Sequence, residues 1–232
     1  MPFVPHRRRR MEQSFWKTRW DEGQIGFHEQ GGSAMLREHW PTLVARQRAH
    51  GADGPSRVLV PLCGKTHDLT WLARSGHLVV GVEFVERAAI DYFAELGVTP
   101  SRRERGQAVC YEHGPVSIWV ADFFAVTPEL VGTFDFVYDR GALVAVTPEQ
   151  RERYIPHLAL LCKPGAGLFL ISFEHDMGSG PPFSVDRVED RLGPYFDLER
   201  HVAHDILDEE PRFKARGATS MIEVVWLGTR SA

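Results

Sequence analysis

A carboxylate about twenty residues past a strand-and-glycine turn is placed to accept hydrogen bonds from both hydroxyls of a ribose. Here the turn is Cys63-Gly64-Lys65, after the apolar run Val58 to Leu62, and the acid is Glu83, after the run Leu78 to Val82. Two later apolar runs end on Asp122-Phe123 and on Asp139-Arg140. Together these strand ends offer a ribose acid, an aromatic ring able to stack on a purine, and an arginine near a reaction centre. Any one strand-end acid could equally be a cap or a solvated turn residue; four successive ends with compatible chemistry say more.

The first turn holds a single glycine and no G-x-G-x-x-G pattern. With one glycine the backbone cannot easily approach a pyrophosphate, so a dinucleotide is disfavoured. A nucleoside without phosphates, carrying an amino-acid arm, fits better. S-adenosylmethionine answers that description, and the chemistry becomes methyl transfer.

The elements that must position these groups follow from hydrophobic patterning. Two continuously apolar strands joined by a helix describe a βαβ unit buried on both faces. A helix is expected from Asp68 to Ser75 and another from Val85 to Leu96, the second with Val85, Ala89, Tyr92, Phe93 and Leu96 on one face. The runs flanking Gly114-Pro115 suggest a hairpin returning into the sheet. Phe134 to Tyr138 and Leu168 to Phe173 read as further strands, separated by a helix from Pro148 to Cys162 that contains Pro156. A looser helix runs from Ala34 to Gln47, interrupted or restarted at Pro41. Two long strands close the chain. The class is α/β, a doubly wound, mostly parallel sheet with a reversed C-terminal edge pair.

Composition bounds the partners. The 232 residues suffice for one domain, with 43% hydrophobic and 25% charged residues and a net charge of −4. That balance argues against nucleic acid or an acidic membrane as the main partner, and no apolar run is long enough to span a bilayer. Residues 1–14, with arginines at 7 to 10, read as a disordered leader, and Met11 is an alternative start. Residues 15–232 form a single domain with an N-terminal aromatic flap. Three scattered cysteines fit a reducing cytoplasm and show no metal-ligand spacing.

The stretches "FWKTRWDEGQIGFH", "VLVPLCGKTHDLTWLARSGH", "VVGVEFVERA", "DFFAVTP", "YDRGALVAVTP" and "GPPFSV" resemble the bacterial thiopurine S-methyltransferases. The resemblance runs in register from about Phe15 to the C-terminus. It implies a seven-stranded class I methyltransferase fold, a monomer, S-adenosylmethionine as methyl donor with S-adenosylhomocysteine as product, and no metal. It places the cofactor at Trp16, Leu62, Gly64, Glu83, Asp122, Phe123 and Arg140, with Trp16 covering the methionine arm. It places the thiol substrate near Phe27, Arg140, Pro182, Phe183 and Arg212. Pro156 and the arginine-rich leader depart from the family's pattern away from the site.

Heterocyclic thiols are acidic enough to react as thiolates, so no strong general base is required. Arg140, helped by Arg212, would favour the anion by a few kcal/mol at about 4 Å and an effective dielectric near 20. The structural alternative for Arg140 is a buried ion pair with Asp139 or Glu83. Cys63 reads as packing rather than a nucleophile, and His28, His67 and His175 as surface or capping groups rather than proton carriers. Removing the Glu83 side chain should weaken cofactor affinity with little loss of fold. Alternatives are methylation of selenium or tellurium compounds, a nicotinamide dehydrogenase, and a non-catalytic cofactor sensor.

Overall fold

The apolar runs of β1 (Arg57–Pro61) and β2 (Leu78–Glu83) are unbroken because both faces of each strand are covered. In β1, Leu59 points into one core and Val58 and Val60 into the other. The computed structural model describes residues 6–24, 31–48, 55–177 and 181–231.

One face of the sheet is covered by α2 (Ala34–Arg48), α3 (Asp68–Arg74) and α4 (Glu86–Glu95). The other is covered by α5 (Pro128–Val131), α6 (Ala142–Ala145), α7 (Pro148–Leu161) and α8 (Val188–Leu192). On the first face Trp40 of α2 packs against His77 and, in the sheet, Phe136 and Phe169, with centroids 5.3 to 5.9 Å apart. Truncating so buried a ring costs on the order of 3–5 kcal/mol. On the second face α7 starts with a reciprocal cap: Gln150 N–H donates to Thr147 Oγ1, and Thr147 N–H donates to Gln150 Oε1. Such a cap stabilises a helix by about 1 kcal/mol.

The remaining strands are β3 (Ser101–Arg105), β4 (Ala108–His113), β5 (Val116–Val120), β6 (Phe134–Arg140), β7 (Cys162–His175), β8 (Phe196–Asp205) and β9 (Met221–Arg230). Their order is β3-β4-β5-β2-β1-β6-β7-β9-β8, with β5, β2, β1, β6 and β7 parallel. The expected α/β class holds, but the sheet has nine strands where seven were expected. The hairpin of β3 and β4 adds the surplus. β3 reads SRRER and is exposed throughout, so it has no hydrophobic period to betray it. Its charges suit an edge strand, where they discourage pairing with another chain.

The expected reversed C-terminal pair is also corrected. β9 is antiparallel to both neighbours, so β8 runs with the parallel strands, and the second reversed strand is β4. Pro41 does not interrupt α2, which continues through it. α1 (His6–Asp21) is helical through most of the stretch read as a disordered leader. The N-terminal element docks through Trp20, which is buried against Val85 and Ala88 at the start of α4.

The chain moves from β1 outward through β2 to β5 and then returns to β6 on the opposite side of β1. Strand order therefore reverses between β1 and β6, and a crevice at their carboxyl ends is where such sheets bind ligands.

Candidate active site

The turn leaving β1 is held in an unusual conformation. Leu62 has φ 47° and Gly64 φ 54°. Glycine takes that region freely, but a leucine there is strained, and such strain gathers at functional sites. The turn is fastened from two sides. Cys63 N–H donates to Val82 O at 3.1 Å, and Gly64 N–H donates to Glu83 Oε2 at 2.8 Å. Gly81 makes room for it: a Cβ there would lie 2.6 Å from Cys63 Sγ.

Glu83 is buried at the end of β2, and its Oε1 accepts Val85 N–H at 2.7 Å. Burial raises its pKa, against the opposing pull of the Val85, Gly64 and Phe84 amides. The bonds from Gly64 and Val85 take one lone pair of each oxygen, so the acid keeps acceptor capacity for a hydroxyl donor. Its removal would strand two backbone donors. That corrects the expectation of little fold loss on truncation.

Burial, and then the neighbouring Glu83 carboxylate, push the Cys63 thiol well above its ordinary range. A neutral buried thiol is no nucleophile, in keeping with the packing role read from the sequence. All three cysteines are buried and free.

Asp122 is half-buried at the end of β5 and caps a 3-10 turn, Phe123–Ala125, by accepting Phe124 N–H at 3.0 Å. The Phe123 ring is turned into the core, 5.2 Å from Tyr154 and 5.1 Å from His157. That placement leaves little of its face for stacking on a purine. Trp16 is half-exposed on α1, edge-on to Phe15 at 5.2 Å.

On the other side of the switch point, Arg140 is half-buried at the end of β6. The ion pairs proposed for it with Asp139 or Glu83 do not form, because both acids are committed elsewhere. Asp139 accepts Ala142 and Leu143 N–H at 3.1 Å and Tyr154 O–H at 2.6 Å. Burial pushes Asp139 up to about 6, while its three donors pull the other way.

Pro182 and Phe183 are half-buried and well anchored. Phe183 N–H donates to Val144 O at 2.7 Å, and the Arg151 guanidinium donates to the carbonyls of Phe183 and Ser184. His175 Nε2 lies 2.8 Å from Pro182 O, and its Nδ1 accepts Met177 N–H at 3.2 Å. Those contacts fix one neutral tautomer, and burial lowers the pKa of His175. It clamps the rim rather than carrying protons. Arg212 is exposed on α9 (Pro211–Ala215), with Nε 2.7 Å from Glu210 and its guanidinium 4.8 Å over the Phe213 ring. This surface placement weakens the case for Arg212. Phe27 and His28 lie outside the described residues.

One residue that ties the region together escaped sequence reasoning. Asp68 is buried at the start of α3; it accepts Ser33 N–H at 2.8 Å, Thr66 O–H at 3.0 Å and Tyr138 O–H at 2.8 Å. It thereby joins the segment entering α2, the loop after β1, and β6 two residues before Arg140. In the sequence it looks like an ordinary first-turn acid. Among the described residues no group of three or more His, Cys, Asp or Glu side chains could hold a metal ion. No helix among them is long and apolar enough to cross a membrane.

The arrangement has relatives. The sequence profile of the family described as thiopurine S-methyltransferase matches residues 11–231. A thiopurine S-methyltransferase of Pseudomonas putida is 40% identical over 223 residues, covering 95% of this chain and 100% of the relative. One from Pseudomonas fluorescens is 39% identical over 220 residues, 93% of this chain and 96% of the relative. In fold, the chain is similar to the Burkholderia thailandensis 1,6-didemethyltoxoflavin-N1-methyltransferase, with TM-score 0.64 and 16% identity. That match covers 100% of this chain and 93% of the other. It is also similar to the magnesium protoporphyrin IX methyltransferase of Synechocystis, with TM-score 0.57 and 17% identity over 95% and 97% of the two chains. With a family profile spanning nearly its whole length and relatives at this identity, the chain belongs to the thiopurine S-methyltransferase family.

Proposed function

We propose that this methyltransferase moves the methyl group of S-adenosylmethionine to the sulfur of small aromatic or heterocyclic thiols, thiopurines included. The observation that carries the reading is the strained Leu62–Gly64 turn bound to the buried Glu83 carboxylate, at the point where strand order reverses. Glu83 would hold the ribose hydroxyls, the Leu62–Gly64 turn would line the methionine arm, Trp16 would cover it, and Asp122 with the backbone of Phe123, whose ring is turned into the core, would meet the adenine.

S-adenosylmethionine supplies a methyl group already activated on a sulfonium. The chain's own task is then to orient and to exclude water. A soft nucleophile must be held on the axis opposite the leaving sulfur, and positioning of this kind contributes much of the rate. Arg140, half-buried at the end of β6 beside the switch point, would favour a thiolate. Because it stabilises the bound anion as well as the transition state, it acts more on binding than on turnover. The rim at Pro182 and Phe183 closes the acceptor side, and Phe27 completes it in this reading, while Arg212, paired with Glu210 at the surface, is left out of it. The enzyme works as a cytoplasmic monomer on small molecules, without a metal. Family membership sets aside the dehydrogenase and sensor alternatives.

The test is transfer of a radiolabelled methyl group to a panel of aromatic thiols, selenols and halides. Thiols should be methylated at the highest kcat/KM. A strong preference for selenium compounds would move the assignment to metalloid chemistry, and no transfer to any soft nucleophile would overturn it.

A further inference from the structure

A cleft of about 520 Å³ lies at the opposite ends of the strands from the crevice just described. Its walls include the first residues of β1, β2 and β5, the β3 strand and the end of α5. Three arginines line it: Arg57, Arg103 and Arg105. In a chain of net charge −4 such a concentration requires an account.

Arg57 and Arg105 are anchored on carbonyls of one short segment, residues 130 to 133. Arg57 Nη2 donates to Val131 O at 2.5 Å and its Nε to Thr133 O at 3.3 Å, while Arg105 Nη1 donates to Leu130 O at 3.4 Å. Both guanidinium groups are thus fastened to the end of α5 and the residues after it, on the wall of one cleft. Glu104 and Glu112 share the cleft wall and Asp135 accepts the Arg57 backbone N–H at 2.8 Å, but the ion pairs of these acids are with other bases. Glu112 pairs with Arg103 at 2.7 Å, Glu104 with Arg102 at 2.7 Å, and Asp135 with Lys163 at 2.6 Å. Like charges on one wall repel, and an anion bound between them relieves that repulsion with charge-assisted hydrogen bonds. Arg57 retains donors on Nη1 that its two carbonyl bonds do not use. Beside the pair, Leu78 and Pro115 offer apolar surface, and Arg103 lies 5.7 Å over the Trp119 ring.

We infer that this cleft binds a small phosphorylated molecule, its phosphate bridging Arg57 and Arg105 and its organic body lying along Leu78 and Pro115. The volume falls within the usual range for small-molecule sites, about 300–1,000 Å³. The site is separate from the methyl-transfer crevice and does not depend on the activity assigned there.

The test is calorimetric titration with uridine 5′-monophosphate and with uridine, at fixed ionic strength and with S-adenosylhomocysteine present in excess. The nucleotide should bind saturably and the nucleoside should not. Arg105→Ala should weaken the nucleotide at least about tenfold, as loss of a charged donor to phosphate implies. Arg105 is exposed on the edge strand, so its truncation leaves the core intact; an unchanged melting temperature confirms this. Nucleotide binding no tighter than the nucleoside, binding unchanged in Arg105→Ala, or displacement of the nucleotide by S-adenosylhomocysteine would each overturn the inference.

Discussion

The two sides of the crevice are built differently. On the cofactor side, the Leu62–Gly64 turn and Glu83 come from one βαβ unit and are fixed by short hydrogen bonds to backbone amides within it. On the proposed acceptor side, Arg140 and the Pro182–Phe183 rim come from the end of β6 and from the connection after β7. They are held by groups distant in sequence, such as Arg151 on Phe183 and His175 on Pro182. A compact local unit keeps one ligand's geometry constant, whereas a surface assembled from several connections can change its shape with the acceptor. Both sides share one device: a buried acid, Glu83 or Asp139, with one oxygen accepting backbone N–H from the turn that follows its strand.

Four substitutions would break or sharpen that contrast. The largest effect is expected at Asp68, which ties the two sides together. Asp68→Ala strands three donors in a buried place and should cost about 4 kcal/mol of stability, measured by urea unfolding. A loss under about 1 kcal/mol would show that water replaces the carboxylate.

Asp139 gives a pH signature on the acceptor side. Its folded pKa, about 6, is raised from 3.8, so its protonated form favours folding. That stability is complete below pH 3.8 and disappears as pH rises through about 6, a change of about 3 kcal/mol. Asp139→Asn should remove this slope. Parallel pH profiles of unfolding free energy for wild type and variant would refute the assignment.

Arg140→Met should raise KM for a thiol about tenfold with a smaller change in kcat, as the proposed stabilisation of a bound anion implies. A fall in kcat at constant KM would instead make it a transition-state group. Arg212→Ala should change kcat/KM less than about twofold, as expected for an exposed arginine already paired with Glu210. A larger loss would restore it to the acceptor site.

Legibility in the sequence follows the same division. The βαβ unit announces itself through local signals: Val58 to Leu62, Gly64, Leu78 to Val82 and Glu83 can be read within one window. Strand β3 could not be read, because its residues are charged and its pairing depends on β4 alone. The direction of β8 was misjudged because direction belongs to the pairing with β9, which patterning does not encode. Pro41 and Pro156 lie within helices that tertiary packing carries through, overriding the local propensity against them. On the acceptor side Arg140 was legible as a strand-end residue, but the roles of Asp68, Tyr138, Arg151 and His175 arise from contacts across tens of residues. Phe123 shows the limit most plainly, since sequence gives a strand-end aromatic but not which way its ring turns.

The central claim is that Glu83 grips the ribose of an S-adenosyl ligand above β2. Calorimetric titration of S-adenosylhomocysteine into wild type and into a folded Glu83→Gln variant tests it most directly. The account predicts one site in the wild type and at least about tenfold weaker binding in the variant, the loss of a charged acceptor for the sugar hydroxyls. Equal affinity in the two proteins, or no binding in the wild type, would contradict it.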